Sequence, residues 1–236
     1  MPADKQILFG LCTTPGANWR EKVEEIGQLG LTQIALLPTA LKPDERKVLY
    51  AALAECAGLA IPYVHLRDDF TVAEIDYLVE HFKTKFFSCH ADEKGYAFLD
   101  KTPKYNSVIF VENFANEKRD KMFTPELFAK HQVSGICLDL AHLEEAKQAS
   151  KRHYKRLSGM ADKFTIGITH LSGVKTSVLY KIFNKTYVDH SLDSLNDLLY
   201  LKNYPPHYFA KIIVMEMENS FLEQAEIKKY LETIIK

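Results

Sequence analysis

Short apolar runs alternate with longer amphipathic segments along the whole chain, and this alternation limits the fold more than any other feature. The runs fall at residues 6–13 (QILFGLCT), 32–38, 60–66, 86–90, 107–113, 135–140, 164–171 and 211–217. Runs of this length between turn signals read as strands. A helix is expected at 19–29, where Val23, Ile26 and Leu29 form a stripe that Gly30 closes as a left-handed cap. A second helix spans 43–57 and stops at Gly58. Capping boxes at Thr71–Glu74 and Ser220–Glu223 open two more, and Thr124-Pro125 places a cap and a first-turn proline ahead of another. A long helix is expected from Leu143 to about Met160, and a further one over 191–201. After the fourth strand, EKGYAFLDKTPKYN is too short and too broken for a full helix. It reads as a shortened helix or a loop over the strand ends, with Tyr96, Phe98 and Tyr105 either meeting substrate or patching the wall.

Eight strands in strict alternation with about eight helices imply parallel strands with helices outside. At 236 residues the economical solution is a closed (β/α)8 TIM barrel, one domain over residues 1–236. An open doubly wound sheet carrying a dinucleotide would favour GxGxxG after its first strand, where this chain has GLCTTPGANW. No proline- or serine-rich linker interrupts the order. With 47% hydrophobic residues, the chain can fill a barrel core and the helix layer around it.

A formal net charge of −1 offers no overall pull toward nucleic acid or an anionic membrane. No run reaches the roughly 18–20 apolar residues of a membrane span. The start, MPADKQILFG, lacks the basic and apolar regions of a secretory signal. Cys12, Cys56, Cys89 and Cys137 form no CxxC pair and read as reduced residues. A cytoplasmic location is therefore expected.

The chemistry of such a barrel belongs at the C-terminal ends of its strands. There the chain repeatedly places ligating residues: His65, His90, Glu112, Asp139 and His170 end strands three to seven, and Glu216 and Glu218 lie toward the end of the eighth. His142 follows Asp139, and Asp189-His190 lies after the seventh strand. Carboxylates converging on one mouth repel one another unless a positive charge sits between them. Imidazoles mixed with carboxylates suit a divalent ion such as Mn²⁺, Zn²⁺, Mg²⁺ or Co²⁺. Glu216 directly follows the apolar run and is the first choice, with Glu218 the second. His81, His131, His153 and His207 lie on helices or loops and read as surface groups.

The series Glu112, Asp139-x-x-His142, His170 and Glu216, with GICLDLAH as its most specific piece, resembles the xylose-isomerase-like TIM-barrel superfamily. VIFVEN and ITHLSG support the likeness, which covers essentially the whole chain. Its ketose 3-epimerase branch implies one metal held by Glu112, Asp139, His170 and Glu216. There Glu112 and Glu216 would shuttle the proton, and His142 would touch substrate. His65 with Asp68 (HLRD) resembles the xylose-isomerase pair in which an Asp orients a His that assists ring opening, although Asp68 reads equally well as a loop cap. The endonuclease IV branch implies three zinc ions, with His65 and His90 matching its third- and fourth-strand histidines, His142 and His190 matching two ligands of its third zinc, and Asp189 one place out of register.

Two functions follow. The first is a metal-dependent isomerase or epimerase of a small sugar or polyol, with Glu112, Glu216 and His65 catalytic. The second is a phosphoesterase with a two- or three-metal site, and only here is nucleic acid a partner. A non-catalytic degenerate barrel is a third reading. Homo-oligomerisation is compatible with each, and none needs a membrane.

Overall fold

A computed structural model of the chain describes residues 5–175 and 187–235. Its parallel sheet contains β1 (Gln6–Leu8), β2 (Gly10–Cys12), β3 (Gln33–Leu37), β4 (Ala60–His65), β5 (Phe86–His90), β6 (Ile109–Glu112), β7 (Gly135–Asp139), β8 (Ile166–Leu171) and β11 (Ile212–Met215). The order is β1-β11-β8-β7-β6-β5-β4-β3-β2. Because β1 pairs with β11 and β2 with β3, the stretch 6–12 borders both edges and joins the sheet into the expected barrel. Around the strands lie α1 (Trp19–Leu29), α2 (Pro43–Ala54), α3 (Val72–Phe82), α4 (Glu93–Lys101), α5 (Pro125–His131), α6 (Leu140–Ala149), α7 (Lys151–Ala161) and α8 (Phe221–Ile234). No described helix is long and apolar enough to cross a membrane.

At the barrel seam, Gly10 is the one residue type that fits, since a Cβ there would lie 1.8 Å from Met215 O. The break in the first strand frees backbone groups, and buried side chains satisfy them. Gly10 N–H donates to Gln224 Oε1 (2.8 Å), and Gln224 Nε2 donates to Gly10 O (3.0 Å). Lys22 Nζ donates to Met217 O (2.8 Å) and Gly10 O (3.3 Å). The chain just beyond β11, which carries Glu216, is thereby stapled to α1 and α8.

The caps behave as their sequences indicate. Gly30 is left-handed (φ 61°), Thr71 accepts the Glu74 N–H, and Ser220 with Glu223 forms a reciprocal box. Four expectations need correction. The long helix expected from Leu143 is two, α6 and α7, because Ser150 is extended and caps the second by accepting the His153 N–H (3.2 Å). The helix expected over 191–201 is a 3-10 helix, Leu195–Asn203. An antiparallel hairpin, β9 (Gly173–Lys175) with β10 (Tyr187–Asp189), interrupts the alternation after β8. His131 and His153 are buried rather than surface groups. The His131 ring packs 4.9 Å from Tyr96, and His153 Nε2 donates to Phe114 O (3.1 Å). The shortened helix after the fourth strand is α4 followed by a 3-10 turn, and its Tyr96, Phe98 and Tyr105 are buried in the wall.

The barrel interior is one apolar cluster: Leu8, Cys12, Ala35, Leu37, Tyr63, Phe110, Cys137, Ile168 and Val214. Side chains two apart share a strand face. Phe110 therefore shares its face with Glu112, Cys137 with Asp139, and Ile168 with His170, so each polar strand end sits above an interior apolar residue. On β8 this phase depends on a register shift: Ile136 pairs with Ile166, but Cys137 pairs with Ile168. Gly167 is the extra residue, and a Cβ there would meet the Phe110 ring at 2.0 Å.

Candidate metal centre

Three strand ends and the chain just beyond β11 converge at the mouth. Glu112, Asp139, His170 and Glu216 each offer one ligand atom, and those atoms lie within 4.8 Å of one another. Asp139 and His170 are register partners on adjacent strands. Glu112, Asp139 and His170 are essentially inaccessible, and the Glu216 side chain keeps 12% exposure toward the mouth. Asp139 is held at both ends. Asn113 Oδ1 accepts its N–H (2.8 Å), Asn113 Nδ2 donates to its carbonyl (3.1 Å), and its Oδ1 accepts the His142 N–H (2.7 Å).

The inward atoms are the informative ones. His170 Nδ1 lies 2.9 Å from Glu216 Oε2 and 3.4 Å from Glu112 Oε2. These three atoms and Asp139 Oδ2 are nevertheless buried without an aligned hydrogen-bond partner. Buried polar atoms are ordinarily paired. These donor atoms are thus gathered within 4.8 Å of one another without being hydrogen-bonded to each other. Three carboxylate oxygens and one imidazole nitrogen arranged this way fit a divalent cation.

Electrostatics agree with that geometry. Burial works against the charged form of His170, but Cys137, Tyr63, Glu112 and Glu216 hold its pKa well above the usual imidazole value. Burial likewise opposes ionisation of Glu112, yet His170 and His65 hold it well below the carboxylate range. Glu216 is lowered to about 2: burial opposes ionisation, and His170 with His190 overcomes it. Asp139 is raised by burial, only partly offset by His142. The His170 proton thus supplies positive charge among three carboxylates. A metal ion at Nδ1 must expel it, so Zn²⁺ uptake should release at least one proton and strengthen as pH rises from 6 to 8. Calorimetry in buffers of different ionisation heat measures this, and an enthalpy independent of buffer would contradict it.

The other sequence candidates divide. His65 is at the centre, with Nδ1 3.1 Å from Glu112 Oε2, and forms a second donor group with Glu112 and His170. His90 packs 4.7 Å from the His65 ring, and burial and His65 lower its pKa to about 4. His142 Nε2 is 3.9 Å from Asp139 Oδ2, and its Nδ1 is buried without a partner. His190 Nδ1 donates to Glu216 O (3.1 Å). Three acidic candidates are engaged elsewhere. Asp68 pairs with Lys94 (3.3 Å), while His65 Nδ1 lies against Ser88 Oγ (2.8 Å). Asp189 pairs with Lys175 (3.0 Å), which also meets Asp193 (2.6 Å). Glu218 lies against Gly16, lining a groove with Glu21 and Glu223. Sequence reasoning missed Asn113, Tyr63 and Ser88. The signal for the last two is their position, two residues before His65 and His90 on the same strand face.

No protein-family model matches the chain, and no curated protein matches it. Among solved structures it is similar to the glycerol uptake operon antiterminator regulatory protein of Listeria monocytogenes. That match has 13% identity and a TM-score of 0.46, covering 95% of this chain and 98% of that one. It is also similar to 3-keto-D-glucoside 4-epimerase YcjR of E. coli, at 10% identity and a TM-score of 0.49, covering 97% and 100%. At these identities and scores neither neighbour carries weight for what this chain acts on. The chain's own strand order and register make it a parallel α/β barrel of the TIM-barrel kind.

Proposed function

We propose that this chain, acting as one domain, is a divalent-metal-dependent isomerase or epimerase of a small sugar or related polyol. The carrying observation is the set of four orphaned, convergent atoms on Glu112, Asp139, His170 and Glu216. Those residues would hold the ion, which would polarise a carbonyl and its neighbouring hydroxyl. Proton transfer at the adjacent carbon then needs a base. Glu112 from the end of β6 and Glu216 from just beyond β11 approach His170 Nδ1, and both are held ionised against burial. Either carboxylate can take the proton, and the other can return one. Beside His65 and His90 is a cavity of about 230 Å³ with a mixed polar lining that includes Thr39, Arg67 and Lys94. Its size and polarity suit a small polyol.

One observation favours a second reading, a phosphoesterase with more than one metal. His65 shares Glu112 and His170 in a second donor group, with His90 alongside. Metal stoichiometry after reconstitution with Mn²⁺, Zn²⁺, Mg²⁺ or Co²⁺ separates the two. One ion per chain, with deuterium from solvent entering a ketose beside its carbonyl, supports the isomerase. Two or three ions with incision of abasic-site DNA supports the phosphoesterase. A chain that binds no divalent ion would sink both.

A further inference from the structure

Beneath the metal ligands runs a line of buried polar groups that links two histidines. Tyr63 on β4 and Ser88 on β5 are fully buried, one inward step below His65 and His90. Tyr63 Oη lies 2.6 Å from His170 Nε2 and in hydrogen-bond contact with Ser88 Oγ. Ser88 Oγ in turn lies 2.8 Å from His65 Nδ1. Cys137 Sγ, 3.9 Å from Tyr63 Oη, is the weaker competitor.

Each hydroxyl has one proton to give, so the direction of one link dictates the next. A ring nitrogen that holds a metal carries no proton, and the other nitrogen then bears it. With a cation at His170 Nδ1, Nε2–H donates to Tyr63, Tyr63 donates to Ser88, and Ser88 donates to His65 Nδ1. His65 is left protonated on Nε2. Its Nδ1 is aligned on Ser88 rather than on Glu112 Oε2, which remains without an aligned partner despite its 3.1 Å approach. The nitrogen left to face the cavity that His65 lines is therefore Nε2. In the same cavity lining, Thr39 Oγ1 has no hydrogen-bond partner, and Arg67 Nε has only the distant Asp69 Oδ1 (3.8 Å).

We propose that Tyr63 and Ser88 are positioning residues forming a relay that ties the proton on His170 Nε2 to the tautomer of His65. The relay makes His65 Nε2–H a hydrogen-bond donor to an uncharged carbonyl or hydroxyl oxygen of the substrate and keeps His65 out of the metal's coordination sphere. This rests on the single-metal reading above and assigns His65 a defined proton within it.

The test is long-range ¹H–¹⁵N correlation NMR on histidine-labelled protein loaded with Zn²⁺ at pH 7.5, with His65 assigned by loss of its signals in His65→Gln. The expected result is a proton on Nε2, a bare Nδ1, and no zinc shift on either His65 nitrogen. In Tyr63→Phe the His65 tautomer should become mixed and the Zn²⁺ Kd should rise roughly 10-fold, in the range for loss of a ligand's hydrogen-bond partner. In Ser88→Ala the tautomer should become mixed while the Kd stays within about threefold, a split that general loosening of the core would not produce. Should Tyr63→Phe fail to fold, the native spectrum and Ser88→Ala decide. A His65 protonated on Nδ1, or one bound to zinc, overturns the relay alone. No zinc binding by the native chain overturns the metal reading and the relay with it.

Discussion

Glu112→Gln should bind Zn²⁺ at least about 100-fold more weakly than the native chain while keeping its fold. The substitution preserves shape and volume, so the interior beneath it, from Phe110 to Cys137, has no reason to repack. What changes is the charge facing His65 Nδ1 at 3.1 Å and His170 Nδ1 at 3.4 Å. Loss of a hydrogen-bond partner to a metal ligand typically costs 10–100-fold in affinity, and loss of an anionic ligand should meet or exceed that range. The same change removes one of the two carboxylates available for proton transfer, so catalysed deuterium exchange should fall with metal binding and should not return at saturating metal. Competition titration with a chromophoric chelator measures the affinity, and circular dichroism checks the fold. A Kd within threefold of native would remove Glu112 from the ligand set.

Gly167→Val should destabilise the barrel by about 3 kcal/mol, the upper part of the usual range for overpacking a core. Gly167 is the extra residue at the β7–β8 register shift, and a Cβ there would stand 2.0 Å from one Phe110 ring carbon and 2.2 Å from another. Either the ring or the strand must move. If the strand moves, Ile168 and His170 lose the phase that points them inward, and zinc affinity falls with stability. For a chain of this size the expected drop in Tm is roughly 6–12 °C. Pairing Gly167→Val with Phe110→Leu should recover part of the loss, because the second change removes the ring that the new methyls strike. Urea denaturation of both singles and the double gives the coupling. Additive effects in that cycle would show that the ring is not the obstacle.

These expectations rest on unequal shares of local and long-range information. The order of strands and helices was legible because each run carries its own period and each cap its own residue, as at Gly30, Thr71 and Ser220. The convergence of Glu112, Asp139, His170 and Glu216 was legible because a parallel barrel brings all its strand ends to one face. Capping at Ser150 was misread, since a serine within an amphipathic stretch can either continue the helix or cap the next one. His131 and His153 were misplaced because their burial depends on Tyr96 and Phe114, both remote in sequence.

By itself, then, the sequence determined the parallel α/β barrel and the ring of His, Asp and Glu around its mouth. Periodicity and strand polarity are local properties, and barrel closure does the rest. Only the tertiary structure decided which members of that ring share a centre. Asp68 and Asp189 carry the same charge as Asp139 but are diverted to Lys94 and Lys175. Tertiary structure alone also placed Lys22 and Gln224 at the seam and joined Tyr63 to Ser88 between two histidines. Pairings of this kind are settled by distances of a few ångströms between segments far apart in the chain, where a buried hydrogen bond or ion takes whichever partner packing brings within reach.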